Sequence, residues 1–519
     1  MDHLVKSKYL VFPVNTLATK KSMNFIKDGK SIYYMDIRLD NIAPDFYAYI
    51  DVSRFLGEII TIDVAPEMEI CFKETDEMHI ENLYNENMRP QTHFTPKNGW
   101  LNDPNGLIYI NGKYHMFFQY NPAEAFWGNP HWGHAESRDL IHWEEKDVAL
   151  FPDERGAMYS GSAILDEKNL LGLNDGKNKA ALLYYTTTSP FCQQLSYSTD
   201  DFKTIKRYGE KPVIPHIMAA NRDPKVVFCE ELNCYIIALY MDANLYYLFK
   251  SSNLKDWEEF QQINLSGDCE CPDIFMLKNE CGERKWVIMG ARDKYVVGHF
   301  DSEKFVEEQA VQSLHYGVSG YAGQTFSNLP DDRVIRMVWD RWRISTVEFR
   351  GQMGIPMEMS LEKHNDVYYL QANPIKEIEK IYKDTNKYSN VAITPTEKFK
   401  VPLEKRAYSF KLKSEYFDSG KMILRVFAVV MEFDFAANEL KIGDCTSPVS
   451  VTKNGFDVTI IVDRCSVEMF VDGGKIFVSR LDGYTVNDYN LLYLSIETTE
   501  NISLDTLEIN SMKSIWDIN

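Results

Sequence analysis

The chain has 519 residues and a mass of 60.2 kDa, too long for one ordinary domain. Its 45% hydrophobic and 25% charged content is that of a globular protein, not a disordered or coiled-coil one. Acidic residues outnumber basic ones by 76 to 56, and the formal net charge of −20 repels phosphate backbones and anionic lipid, so no nucleic acid and no membrane partner is expected.

From the N-terminus, residues 1–89 carry the strand runs SIYYMDIRL, DFYAYIDV and IITIDV and read as a small β module. Leu10-Val11-Phe12 runs straight into Pro13, which leaves no apolar core long enough for a secretory leader, and no stretch of about 18 apolar residues follows. The 9 cysteines are odd in number and lack the spacing of a disulfide framework. Reduced thiols and a cytoplasmic location are expected.

Residues 90–375 are dominated by short runs of β-branched and aromatic residues bounded by Gly, Asn, Asp and Pro, such as GLIYI-NGK-YHMFFQY and PKVVF-CEELN-CYIIALY. A repeat runs through them. Ser137-Arg138-Asp139-Leu140 with His142-Trp143-Glu144-Glu145 returns as Ser251-Ser252-Asn253-Leu254 with Asp256-Trp257-Glu258-Glu259. Ser198-Thr199-Asp200-Asp201-Phe202 and Asp301-Ser302-Glu303-Lys304-Phe305 are degraded copies. Spacings of roughly 50 to 60 residues, each with about four strands, are those of propeller blades, with a fifth blade expected near Gly323 to Arg350. A weak helical period over Ile375 to Lys383 marks a linker at 376–393. Residues 394–519 return to alternating strands (FDVTIIV, SVEMFV, KIFVSR), the pattern of an antiparallel β-sandwich. The fold class is therefore all-β, in three units.

Laying the blades over one another brings out the chemistry. Asp103-Pro104, Asp223-Pro224 and Glu270-Cys271-Pro272-Asp273 each stand where a blade's first strand begins. First strands line a propeller's central channel from one end, so acids at one phase of three blades should meet at one mouth. Any one of these acids alone reads first as a turn residue or a solvated charge. Crowded together, they must shift one another's proton affinity and leave one ionised and one protonated, the division of labour of a glycosidase. Trp100, Phe118, Trp127, Trp132, Tyr159 and Trp339 offer apolar faces for a sugar ring, and Asn102, Gln119, Ser160 and Arg222 offer hydrogen bonds to hydroxyls. The cysteines and the pair His131 and His134 lack common zinc spacings and read as core groups, so no metal is expected.

The motifs Trp100-Leu101-Asn102-Asp103-Pro104-Asn105-Gly106, Phe118-Gln119-Tyr120-Asn121-Pro122, Trp127-Gly128, Tyr159-Ser160-Gly161-Ser162, Arg222-Asp223-Pro224-Lys225 and Glu270-Cys271-Pro272-Asp273 come in one order. With Val462 to Phe470 (VDRCSVEMF), they make the chain, over about residues 95 to 485, resemble glycoside hydrolase family 32, the family of invertases, inulinases and levanases. The resemblance implies a five-bladed propeller joined to a sandwich, and retaining cleavage of β-fructofuranosyl groups from sucrose or fructans. It makes Asp103 the nucleophile, Glu270 the acid/base and Asp223 the stabiliser. Asn102, Gln119, Trp127, Tyr159, Ser160, Arg222, Tyr321 and Trp339 form the substrate-binding set, with no cofactor. The family's Asp-Phe-Tyr-Ala is Ser319-Gly320-Tyr321-Ala322 here, so an acid is missing and linkage preference stays open. Residues around Pro44-Asp45-Phe46-Tyr47-Ala48 resemble an N-terminal module of some bacterial fructan hydrolases, whose role could be sugar contact, dimerisation or shielding. Transfer to a sugar acceptor, an inverting arabinan-type glycosidase and a non-catalytic carbohydrate-binding propeller are the alternatives. A homo-oligomer is possible on sequence grounds.

Overall fold

A computed structural model describes residues 1–341, 348–481 and 491–517. Five sheets, each built on four successive strands and three of them with a short fifth strand added, form the propeller. The first blade runs outward through Gly99–Ile110, Lys113–Asn121, His131–Ser137 and Trp143–Glu145, and the second through Met158–Leu165, Ala181–Thr188, Phe191–Ser198 and Lys206–Arg207. The third holds Arg222–Cys229, Cys234–Asp242, Leu245–Ser251 and Glu258–Asn264, and the fourth Asp273–Lys278, Arg284–Met289, Lys294–Phe300 and Phe305–Glu307. The fifth holds Gly320–Thr325, Val334–Asp340, Met357–His364 and Val367–Pro374. It thus reaches well beyond the stretch from Gly323 to Arg350 in which it was expected, of which 342–347 lie outside the described residues. Middle strands such as Ala181–Thr188 are buried on both sides because blades stack face to face, which is why they read as unbroken apolar runs.

The sequence repeat has a specific structural job. All four copies sit at the turn from third to outermost strand in the first four blades. There the Asp or Asn side chain accepts backbone N–H groups downstream, as Asp139 does from His142 (2.9 Å), Asn253 from Asp256 (2.9 Å) and Asp301 from Lys304 (2.8 Å). Leu140, Phe202, Leu254 and Phe305 plug the core beneath. In the fifth blade a tight hairpin at Asn365-Asp366, both with positive φ, makes the same connection, so no copy exists there.

The ring closes where Phe349–Arg350 pairs in parallel with Gly99–Trp100 and Ser327 bridges Ile108. Buried Lys225 plugs the channel, donating to the Thr325 carbonyl at 2.7 Å and pairing with Asp273 at 3.1 Å.

The N-terminal module is two small sheets packed on their own core, with strands ending at Thr75. Residues 76–89 run on across the sandwich, where Tyr84 stacks on Trp516 at 3.9 Å. The linker is shorter than expected. A single 3-10 turn, Lys376–Ile381, leads directly into Tyr382–Ile393, which already pairs with Ile502–Met512 as a strand of the sandwich. The sandwich's two six-stranded sheets enclose a separate apolar core. Buried His93 ties it to the propeller, contacting Asp463 at 2.9 Å and Glu468 at 3.1 Å. Burial alone would keep that imidazole neutral; the two carboxylates overcome it and hold the ring protonated, its pKa raised to about 10.

Candidate active site

The innermost strands of the first, second, third and fifth blades are all bulged near their entry, between Leu101 and Pro104, Met158 and Gly161, Arg222 and Lys225, and Tyr321 and Gln324. A bulge re-aims side chains that a regular pleat would bury between blades. Here it aims Asn102 and Asp103, Tyr159 and Ser160, and Asp223 towards the mouth. Asp103 and Asp223 therefore lie inside their strands, whereas Glu270 stands in the segment just before Asp273–Lys278. Asp223, Glu270 and Cys271 all have left-handed backbone (φ 65°, 55° and 34°), a strain of roughly 1 kcal/mol per residue that non-glycine residues carry where function over-determines the chain.

A cleft of about 370 Å³ occupies the mouth. Asp103, Asp223, Glu270, Asn102, Gln119, Trp127, Tyr159, Ser160, Arg222, Tyr321 and Trp339 all line it. Trp132 and Phe118 do not; both are fully buried in the first blade, where Trp132 Nε1 donates to the Tyr159 carbonyl at 3.0 Å. Trp100 stands behind the cleft, its indole donating to Asn102 Oδ1 at 2.8 Å and its ring edge-on to Trp339 at 5.7 Å. Four lining residues escaped the sequence reading of the site: Pro130, Phe191, Ala220 and Cys271. Phe191 meets Tyr159 edge-to-face at 5.6 Å and comes from a hairpin with no motif around it. Cys271, taken for a core thiol, was marked only by its neighbour Glu270.

Cys271 is the hub. Its Sγ lies 3.5 Å from both Asp103 Oδ2 and Asp223 Oδ2, and its N–H donates to Asp223 Oδ2 at 3.1 Å. Burial and the adjacent carboxylates push the thiol far above its ordinary range, so it stays a neutral S–H donor. Ser160 Oγ donates to Asp103 Oδ2 at 2.7 Å. Burial raises Asp103, and the hydrogen bonds from Ser160 and Asn102 work against that rise. Asp223, largely buried in the cleft wall, is pushed up to about 7 by burial; Arg222 opposes this, and the charges of Asp103 and Glu270 add to it.

Glu270 behaves oppositely. Burial acts to raise it, but Tyr321 donating to Oε2 and Arg222 Nη2 donating to Oε1 at 2.5 Å outweigh that and hold it below the usual carboxylate range. The expected split into ionised and protonated carboxyls is present, but in this site the carboxyl that holds a proton most tightly is Asp223, not Glu270. The reason is local: the Glu270 side chain is a third exposed and has two donors, while only 6% of the Asp223 side chain is exposed.

Among the described residues two other groups have metal-ligating side chains in reach of one another. In the first, His93, Asp340 and Glu468, the imidazole is protonated and has no lone pair to give. In the second, His115 and His134 contact each other at 3.1 Å, while Glu136 is engaged by Lys113 at 2.8 Å and Lys146 at 3.6 Å, ammonium groups that oppose a cation. Neither borders the cleft.

A model of the glycosyl hydrolases family 32 N-terminal domain matches residues 93–374, which is the whole propeller. The chain belongs to glycosyl hydrolase family 32. It is 31% identical over 490 residues to a levanase of Bacillus subtilis, covering 84% of this chain and 72% of that one. To an extracellular exo-inulinase of Aspergillus awamori it is 32% identical over 484 residues, covering 76% and 89%. The crystal structure of that exo-inulinase superposes with a TM-score of 0.73 at 25% identity, over 83% of this chain and all of that one. A fructofuranosidase from Schwanniomyces occidentalis in complex with fructose superposes equally well (TM-score 0.73, 24% identity, 84% and 100% covered) and shares the fold.

Proposed function

We propose that this family 32 hydrolase removes terminal β-fructofuranosyl groups from sucrose or fructans with retention of configuration. The observation that carries this reading is the meeting of three carboxyls, from the first, third and fourth blades, in one cleft of sugar-ring size rimmed by Trp127, Tyr159 and Trp339. In retaining catalysis one carboxylate attacks the anomeric carbon and a second protonates the leaving oxygen, then activates the water that releases the sugar.

Asp103 fits the nucleophile: Ser160 and Asn102 stabilise its anion and fix its orientation in the cleft. Glu270 fits the acid/base because it is the carboxyl nearest solvent, where a leaving group must depart. A sugar in the cleft strips water from Glu270 and strengthens the burial that already acts to raise it, so substrate itself brings Glu270 towards the protonated form an acid needs. Asp223, largely buried and raised yet lining the cleft, fits a hydrogen-bonding partner for fructose hydroxyls, with Arg222 beside it at 3.7 Å.

The relatives named levanase and exo-inulinase support a fructan or sucrose substrate. The nine cysteines, odd in number and without the spacing of a disulfide framework, support a reducing compartment such as the cytoplasm, although the Aspergillus relatives are named extracellular. The deciding experiment is a panel of sucrose, short fructo-oligosaccharides, inulin and levan, with product chromatography and NMR of the first-formed anomer. Release of β-fructose supports the reading. Absence of fructose release, or the inverted anomer, refutes it.

A further inference from the structure

Trp127 differs from every other aromatic residue of the cleft. It stands on the 122–130 connection of the first blade, and it is 57% exposed, out on the rim. A connection of that length bearing an exposed ring needs support, and the support comes from the N-terminal module. The strand Lys30–Ile37 and the residue after it grip the loop at several points. Asn129 Oδ1 accepts the Asp36 N–H at 2.7 Å, and Asn129 Nδ2 donates back to the Asp36 carbonyl at 2.7 Å. Arg38 pairs with the buried carboxylate of Glu124 and lies over the Phe126 ring, 5.6 Å from its centroid. Ala123 is part of the module's own apolar core. Behind the loop, His131 Nδ1 donates to the Asn129 carbonyl at 2.5 Å, and its Nε2 accepts from Tyr33 at 2.7 Å.

The module also reaches the rim. A side chain at Gly128 would come within 3.5 Å of Lys20 Nζ, which places that exposed ammonium beside Trp127. Lys20, Tyr33, Asp36 and Arg38 all belong to the module, and none of them lines the cleft.

We propose that the N-terminal module is a specificity element of this site. It fixes the Trp127 loop, chiefly through Arg38 and Asp36, and with Lys20 it builds a platform for the sugar rings beyond the scissile bond, favouring fructan chains of three or more rings over sucrose. This rests on the fructofuranosidase reading above. Arg38 is a positioning residue: it acts through Glu124 and Phe126 on Trp127 and never touches the reacting atoms. The physical basis is preorganisation, since a rim aromatic held in place loses less freedom when a sugar stacks on it. The cost of losing it should appear in binding of the longer substrate and leave the chemical step alone.

The test compares kcat and KM on sucrose and on a fructo-oligosaccharide of four rings. Arg38→Ala should lower the ratio of kcat/KM for the oligosaccharide over that for sucrose by about fivefold, through KM, with both kcat values within about twofold of the parent. Arg38→Lys, which keeps a cation for Glu124, should recover part of the ratio. Trp127→Ala should lower it at least as far, and adding Arg38→Ala to Trp127→Ala should change it no further, since the two act on one platform. Lys20→Ala, at an exposed position that does not threaten folding, should lower the same ratio even if Arg38→Ala is poorly folded. An unchanged ratio in both Arg38→Ala and Lys20→Ala, or fully additive losses in the double variant, overturns the proposal. Absence of cleavage of either sugar by the parent protein would instead overturn the reading of the site itself.

Discussion

Replacing Asp223 by Asn should make the protein more stable at alkaline pH while destroying its activity. Asp223 is largely buried in the wall of the cleft, its side chain 6% exposed, and burial lifts its pKa from an ordinary 3.8 to about 7. A carboxyl raised on folding contributes stability that is complete below the unfolded value and is lost as pH rises through the folded one. With those two values, keeping the ionised group in the fold costs about 4 kcal/mol above pH 7, and about 2 to 3 kcal/mol of that develops between pH 5 and pH 8. Asparagine has the same shape and no charge to bury, so the variant escapes this loss. Thermal unfolding of parent and variant at pH 5 and pH 8 reads it directly. The variant's advantage should grow by about 2 to 3 kcal/mol across that interval, several degrees in the midpoint of the propeller transition. An equal difference between the two proteins at both pH values would refute the argument, because it would mean that Asp223 is solvated or fully compensated by Arg222.

The catalytic assignments give three further expectations. Asp103→Asn should remove more than about 99% of turnover with an unchanged fold, and measurable activity above a few percent on sucrose would displace Asp103 as nucleophile. Glu270→Gln should lose most activity on sucrose, whose leaving oxygen needs a proton, yet spare fructosides with good leaving groups; equal losses on both count against the acid role. Tyr321→Phe removes a donor that stabilises the Glu270 anion. Glu270 should then keep its proton to higher pH, moving the alkaline limb of the kcat/KM profile upward, and an unmoved or lowered limb would show that Tyr321 does not tune Glu270.

The amino-acid sequence by itself determined the architecture and the identity of the cleft. Blade spacing was legible because the third-to-fourth-strand turns of the first four blades each use an Asx-type acceptor and an apolar plug, as at Asp139 with Leu140 and Asn253 with Leu254. The acids were legible because equivalent strands enter the channel in phase. The fifth blade's extent was not, because its Asn365-Asp366 hairpin solves the same connection with left-handed backbone and leaves no repeat. Nor was the strand Tyr382–Ile393: exposed along most of its length and bearing few apolar residues, it takes its structure from pairing with Ile502–Met512.

Three matters were decided only by tertiary structure. Trp100, Phe118 and Trp132 share the motif composition of Trp127 and Trp339, and only packing separates rings inside a blade from rings at the mouth. Proton affinity among the carboxyls follows burial and the number of donors, which comes from chain segments distant in sequence: Tyr321 and Arg222 serve Glu270, while largely buried Asp223 accepts from the Cys271 N–H. And the first 75 residues, whose role the sequence leaves open, are seen only in the fold to hold the loop of Trp127 through Asp36 and Arg38. Local sequence patterns specify strands and turns through short-range sterics and hydrogen bonding; solvent exclusion and charge proximity arise only once the blades close.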